Sequence, residues 1–478
     1  MKKLNSIYTL VFFLLLNSAE AWARAGGGGG RRSSSSSHSS SHSSHSYGSS
    51  GGGGSFSWGY IILVLVVLAV IYIVVKKYKG PGAGMLSSIT GIDTDTDEEE
   101  GLEIQSNDGA PVITEAFLLA NPGFSNDGFQ DKVRTAFMAI QQAWQDQNLG
   151  KVRKWISDGV YQRFSIQFDM MKKLGQKNLL SNIDIEQVQF VKAYTESNYS
   201  VVTVGVRFTM DDKFISEKMP QLNESYSGDQ AIEYWTFVKK SGAVNKDLYQ
   251  SNSCPNCGNG LNEDGGEVSK CPSCGTVTYL GDYDWVLSEI TQSEDYAADS
   301  WYNPDNISLA PLRKEEEFCM QNMEDKASNA FVHYLFASAW NKADHCNRFA
   351  SDEVIAEINA EKDEPYVFNR IYVNRVSFAA YAPGENMHQL HFTIVYSGQK
   401  VKLEENKVKK LDDDMVTRMA SLTLSRKAGA VSKSKLWSHD CPGCGAPYTD
   451  STSMKCAYCG SKINSADNDW IVTKLITA

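Results

Sequence analysis

Eight of the ten cysteines occur as four Cys-x-x-Cys pairs, each followed by a glycine. Two thiolates that are two residues apart can bind one metal ion, and the glycine permits a left-handed turn that points backbone N–H groups at sulfur. Thirteen residues separate the pairs of the first set, and eleven separate those of the second. The spacing predicts two structural zinc ions, each held by four thiolates: Cys254, Cys257, Cys271 and Cys274 in the first site, and Cys441, Cys444, Cys456 and Cys459 in the second.

Iron and redox-active disulfides are the alternatives to zinc at these two sites. A closed shell of four thiolates leaves no open position for catalysis, so we expect structural ions inside two zinc ribbons, 254–274 and 441–459. Cys319 and Cys346 have no partner pattern and are expected to be ordinary buried thiols.

Charge argues against nucleic acid as the partner of these ribbons. The chain has 46 basic and 57 acidic residues, which give a net charge of −11. The first ribbon carries a net charge of −2 and the second a net charge of zero. Phosphate binding needs a basic stripe with interleaved aromatic residues, and neither ribbon has one.

An enzyme would need an acid or base in a recognisable catalytic string. The candidates are Asp158, Asp184, Glu186 and His391, and none of them lies in such a string. Asp158 is expected to cap a helix instead, because Ser157-Asp158 directly precedes a helical pattern. We therefore predict no catalytic residues and no enzymatic activity.

The first 55 residues do not resemble a folded domain. Residues 1–24 have a positive start, an apolar core and a run of small residues, as in a secretory signal peptide, and an uncleaved signal anchor is the alternative. Residues 25–55 are a Gly/Ser/His low-complexity segment. Its three histidines could hold a metal weakly or have no specific role.

Residues 56–75 carry no charge and, as a helix, would cross about 30 Å of hydrocarbon. Lysines at 76, 77 and 79 follow at once, so the positive-inside rule places the N-terminus outside and the rest of the chain in the cytoplasm. This location also disfavours disulfides. Residues 76–119 are predicted to be a linker with an acidic run at 93–100, which has neither the glycine nor the glutamate of a calcium loop.

The rest of the sequence contains an internal repeat. Eleven residues after the last cysteine of each set comes a tryptophan inside an Asp-x-Asp-Trp string, Trp285 and Trp470. An Ala-Trp pair lies upstream in each copy, at Trp144 and Trp340, and ordered matches between these landmarks indicate a tandem duplication, 120–290 and 311–478.

Each copy changes from helical to strand periodicity. In the first copy, apolar residues spaced by three or four predict helices over 129–144, 149–156 and 160–171. Alternating or β-branched runs predict strands over 183–194, 199–210, 231–239 and 283–290. Helices followed by an antiparallel sheet give an α+β fold class.

The stretch from Phe129 to Phe164, with its Ala-Ile-Gln-Gln-Ala-Trp string, resembles the start of the Tim44-like domain family. The family is named for a subunit that tethers the mitochondrial import motor to the inner membrane, and it has bacterial, membrane-tethered members. The resemblance implies a nuclear-transport-factor-two-like fold, in which helices back a curved sheet that forms a cone. It is clear over 120–290 and weaker in the second copy.

These observations predict a scaffold at the inner face of a bacterial cytoplasmic membrane that recruits a protein partner. The alternative is binding of a lipid or another apolar ligand in the cone-shaped cavity. Each ribbon is inserted between the last two strands of its copy, so we expect it to project from the sheet as a docking arm.

Overall fold

The computed structural model describes residues 103–105, 112–263, 266–296, 309–360, 364–404, 407–431, 439–448 and 453–477. The predicted signal peptide, the low-complexity segment, the predicted span 56–75 and most of the linker lie outside these residues. Within the described ranges, no helix is both long enough and apolar enough to cross a membrane.

The helices of the first half (residues 112–296) have well-defined caps. The Ser125 side chain accepts a hydrogen bond from the backbone N–H of Gly128, and that of Ser157 accepts one from Val160. Gly175 ends the third helix in a left-handed conformation, φ 63°, which suits a residue without Cβ. The helices are α1 (Glu115–Ala120), α2 (Asn126–Gln145) and α3 (Asp158–Leu174).

Two helix predictions need correction. Residues 149–156 contain only a short 3₁₀ turn, Arg153–Trp155, because Ile156 is extended (φ −110°, ψ 145°) and forms a parallel bridge with Leu287. The helix cap is Ser157, and Asp158 is the first residue of α3.

The first sheet has the order β1-β2-β3-β4-β5 and is antiparallel except for the parallel pair β1–β2. Three register shifts in the β2–β3 pairing curl it around α2, since a bulge increases the local twist. The strands are β1 (Val112–Ile113), β2 (Gln176–Glu196), β3 (Tyr199–Ser216), β4 (Glu224–Lys240) and β5 (Val286–Gln292).

The first half begins earlier than the predicted boundary at residue 120. β1 pairs with Lys192 and Ala193 of β2, and the Phe117 side chain of α1 is fully buried. Both features lie in residues that the sequence assigned to the linker. The stretch 112–119 is too short for its apolar residues to show a clear periodicity.

The second half (residues 309–477) has its own curled sheet, with the order β10-β9-β7-β6 and with β8 paired to β7. Its helices lie before the strands, as in the first half. The elements are α4 (Ala310–Arg313), α5 (Met320–Trp340), a 3₁₀ turn (Ala343–Cys346), α6 (Asp352–Ala360), β6 (Val367–Pro383), β7 (Met387–Glu404), β8 (Lys407–Lys410), β9 (Val416–Lys427) and β10 (Ile471–Thr477).

The two halves share a hydrophobic core. Phe164 and Phe168 of α3 face the first sheet, whereas Ile166 and Met170 of the same helix pack into the core of the second half. α3 is thus buried on two sides and joins the halves, a contact that the tandem repeat alone does not predict.

Candidate metal centres

The structure brings the eight predicted cysteines together in two groups of four. Within each group, all four Sγ atoms lie within 4.8 Å of one another. The Sγ–Sγ distances are 3.6 Å for Cys254–Cys274 and 3.7 Å for Cys257–Cys271, and the corresponding distances in the second group are 3.7 and 3.8 Å. None of these cysteines is in a disulfide.

These distances fit a single four-coordinate ion. Metal–sulfur bonds of about 2.3 Å in a tetrahedron require sulfur atoms about 3.8 Å apart, whereas a disulfide needs about 2.0 Å. The glycine after each second cysteine is left-handed in every case, with φ between 69° and 78° (Gly258, Gly275, Gly445 and Gly460). Both groups can therefore hold a metal ion in a four-thiolate shell.

The two remaining cysteines lie in the core, as predicted. Cys319 is 0% exposed and Cys346 is 1% exposed. Burial raises the pKa of both thiols, that of Cys346 to about 12, so both stay protonated and unreactive at neutral pH.

The first ribbon is inserted between β4 and β5, as predicted, but it does not project freely. Arg153, which is fully buried, donates from Nε to the main-chain oxygen of Glu267 at 2.6 Å, and its guanidinium lies 3.4 Å from the centroid of the Tyr279 ring. Gln162 of α3 also binds the Glu267 carboxylate. The ribbon is held against the start of α3.

The second ribbon is held against the start of α6, which is the corresponding position in the second half. Asn464, directly after the ribbon, donates to the main-chain oxygen of Ala350 at 2.8 Å and to the Asp352 carboxylate at 3.0 Å. Lys462 pairs with the same carboxylate at 2.5 Å. The expected docking arms are therefore fixed at their flanks, while the turns that carry the second cysteine of each pair are exposed.

The Asp-x-Asp-Trp strings have the same structural role in both halves. Asp284 accepts a hydrogen bond from the backbone N–H of Trp285 at 2.8 Å and pairs with Lys132 of α2 at 2.8 Å. Asp469 accepts the corresponding bond from Trp470 at 2.8 Å and pairs with a lysine of α5 at 3.4 Å. The sequence revealed the aspartates and tryptophans, but not their lysine partners.

Each tryptophan also lies under a cation from the neighbouring strand. Lys239 lies 5.1 Å from the Trp285 ring, and Arg426 lies 4.6 Å from the Trp470 ring. A buried aromatic ring with a cation over its face gains electrostatic energy as well as apolar contact. The strings therefore anchor the last strand of each sheet to its helix.

The four acid–base candidates do not meet in one site. Asp158 pairs with Arg153; burial alone would raise the Asp158 pKa, but this arginine and His439 lower it to about 2. Asp184 and Glu186 lie on β2, where Glu186 pairs with an arginine of β3 at 3.1 Å. His391 contacts a threonine hydroxyl of β9 at 3.0 Å.

A comparison with protein families gives one match, to the model described as the Tim44-like domain, over residues 112–249. We refer to residues 112–249, which match this model, as the Tim44-like domain. The match includes β1 and α1, and it ends before the first ribbon. No curated protein matches the chain.

The interior of the Tim44-like domain is filled by aromatic side chains. The Phe137 ring lies 4.7 Å from that of Phe208 and 5.3 Å from that of Trp235, centroid to centroid. Trp144 packs on Phe164 at 5.6 Å. A small cavity beside Phe164 has a volume of about 10 Å³, which is enough for a single water molecule at most.

Two neighbouring carboxyl groups of α5 face the interface with the Tim44-like domain. Burial raises the pKa of Glu324 to about 8 and that of Asp325 to about 7. Their ordinary values in an unfolded chain are about 4. The folded state therefore binds protons more tightly than the unfolded state, and the stability that this gives is lost as pH rises through about 7 to 8.

We expect the free energy of unfolding to fall by about 2 kcal/mol between pH 6.5 and 8.5. Burial lowers the pKa of His333 to about 3, so this side chain contributes little above about pH 6.5. Urea unfolding of the chain at several pH values measures the change. Glu324→Gln should flatten most of it, and a profile that is level or rising in the unchanged chain would contradict the assignment.

Proposed function

We propose that this chain is a scaffold anchored in a bacterial inner membrane, which recruits a protein partner on the cytoplasmic side. In this proposal, residues 56–75 cross the membrane once with the N-terminus outside, after a secretory signal at 1–24. The observation that carries the proposal is a Tim44-like domain that follows this uncharged segment and its three lysines. The family name refers to a membrane tether of the mitochondrial import motor.

We also propose that the second half is another nuclear-transport-factor-two-like domain that arose by tandem duplication. Three shared features support this. Both halves place helices before a curled antiparallel sheet, and both insert a four-cysteine ribbon before the last strand. Both use the same aspartate–tryptophan–lysine arrangement to fix that strand.

Zinc is the proposed metal of both ribbons. Four thiolates at tetrahedral spacing are typical of structural zinc, and a cytoplasmic location keeps thiols reduced. The buried positions of Cys254, Cys271, Cys441 and Cys456 suit a structural role, because a closed site supplies folding energy rather than chemistry.

The filled interior supports a docking role over ligand binding in the cone. A lipid would have to displace packed rings such as Phe137 and Trp235, both of which are 0% exposed. The exposed turns of the ribbons remain as candidate contact points for a protein. Tyr458, between the last two cysteines, is 65% exposed, which is unusual for a large aromatic side chain and common at protein interfaces.

Site-specific photo-crosslinking in cells tests this proposal. A photoreactive phenylalanine analogue at Tyr458 or at Asn256 should give one major protein adduct, which mass spectrometry then identifies. Met138 of α2, 45% exposed, is the matched control position on another surface. An adduct at the ribbon turns that is absent at Met138 supports recruitment through the ribbons.

Other outcomes would contradict this proposal or favour its alternative. Equal adducts at all three positions, or none, would contradict recruitment through the ribbon turns. If apolar material co-purifies with the chain in a fixed ratio, the alternative of a lipid or apolar ligand in the cone is favoured. A charged substitution at Phe164 would not distinguish these cases, because that ring lies in the packed core.

A further inference from the structure

A cavity of about 640 Å³ lies between the two halves, outside both metal centres. Its walls come from the start of α3, from β5 and from α5, and they include Phe318, Met323 and Trp470. This volume is in the range of pockets that enclose small organic molecules. Neither the Tim44-like match nor the proposed docking role accounts for it.

Six carboxyl groups line the cavity, and most of them are in ion pairs. The pairs are Asp158 with Arg153, Glu315 with Arg426, Glu317 with Lys240 and Asp469 with Lys326. Asp325 is bonded only to neutral donors, namely the Ser157 hydroxyl and the Gly159 N–H. A buried carboxyl group whose hydrogen-bond partners are all neutral favours a cationic occupant.

A second, independent observation concerns Asn329, one helical turn after Asp325 on α5. Its side chain is 1% exposed and lines the cavity, yet its Oδ1 has no hydrogen-bond partner. Residues four apart lie on the same face of a helix. A buried acceptor without a donor is costly, and a ligand N–H placed here would remove that cost.

We propose that this cavity binds a small organic amine in its ammonium form. The ammonium group has three N–H donors, which match the Asp325 carboxylate and the Asn329 Oδ1. Its alkyl or aromatic body lies against Phe318, Met323 and Trp470. The site joins the two halves, so an occupant would contact both.

Photoaffinity labelling of the full chain in phosphatidylcholine nanodiscs tests this site. The probe is 4-benzoylbenzylamine, and the matched control is 4-benzoylbenzyl alcohol, which has the same body but no charge. The amine should label peptides that contain residues 315–329 or 469–470 saturably, with an affinity about tenfold or more above that of the alcohol. Hexylamine should compete.

Variants of the two polar groups distinguish binding in this cavity from nonspecific attraction of the amine to the acidic protein. Asn329→Leu and Asp325→Asn should each weaken labelling about tenfold, whereas Glu357→Gln, which removes an exposed carboxylate of α6, should not change it. Equal labelling by amine and alcohol in the unchanged chain overturns the proposal without any variant. Labelling that does not saturate, or that maps elsewhere, also overturns it.

Discussion

Removal of metal by a strong chelator is expected to unfold both ribbons while leaving the two sheets intact. Structural zinc contributes on the order of 10–16 kcal/mol of binding energy to small metal domains, more than any other single interaction here. No described residue of either ribbon belongs to the hydrophobic core, whereas each sheet is covered by helices and packed side chains. Elemental analysis should find two zinc ions per chain before chelation.

Hydrogen exchange should show which segments of the chain lose structure when the metal is removed. Exchange should rise within each ribbon and at the start of α3, because Arg153 then loses the carbonyl of Glu267 and the Tyr279 ring. Cys254→Ser should lower the zinc content from two ions to one. Cys346→Ser, an equally buried thiol outside both clusters, should leave it at two. Less than one zinc ion in the unchanged chain would refute both sites.

The elements that the sequence predicted best are those with a strong local pattern. Apolar residues such as Phe129 and Phe137 recur at helical spacing, and the observed α2 contains the whole predicted helix. The metal clusters were predictable because short cysteine spacings leave few geometries. The repeated Asp-x-Asp-Trp string was visible because both copies keep it.

The contacts that fix the ribbons were not predictable in the same way. Arg153 binds a main-chain carbonyl 114 residues away, and a carbonyl leaves no signature in the sequence. The contact between the halves differs from those of the ribbons, because the apolar pattern of α3 does indicate it. Ile166 and Met170 lie opposite Phe164 and Phe168, and a helix that is apolar on two sides is buried on two sides.

Substitution of Arg163 should have the second-largest effect on stability. Its Nη1 and Nη2 atoms each donate to the Glu289 carboxylate at 2.7 Å, and its Nε atom binds Ser328 of α5 at 2.5 Å. The arginine and the glutamate are both less than 10% exposed. Arg163→Met leaves a buried carboxylate without its partner, which should cost about 3–5 kcal/mol of unfolding free energy.

A double substitution distinguishes the effect of the ion pair on stability from the effect of packing. Glu289→Leu in the Arg163→Met background removes the orphaned carboxylate, so the double variant should be more stable than Arg163→Met alone, because apolar replacement of a buried pair is often nearly neutral. Lys172→Met, at an exposed position of the same helix, should change stability by less than about 0.5 kcal/mol. Urea unfolding measures all three variants. If the two substitutions simply add, or if Arg163→Met costs under about 1 kcal/mol, this pair does not hold α3 to β5.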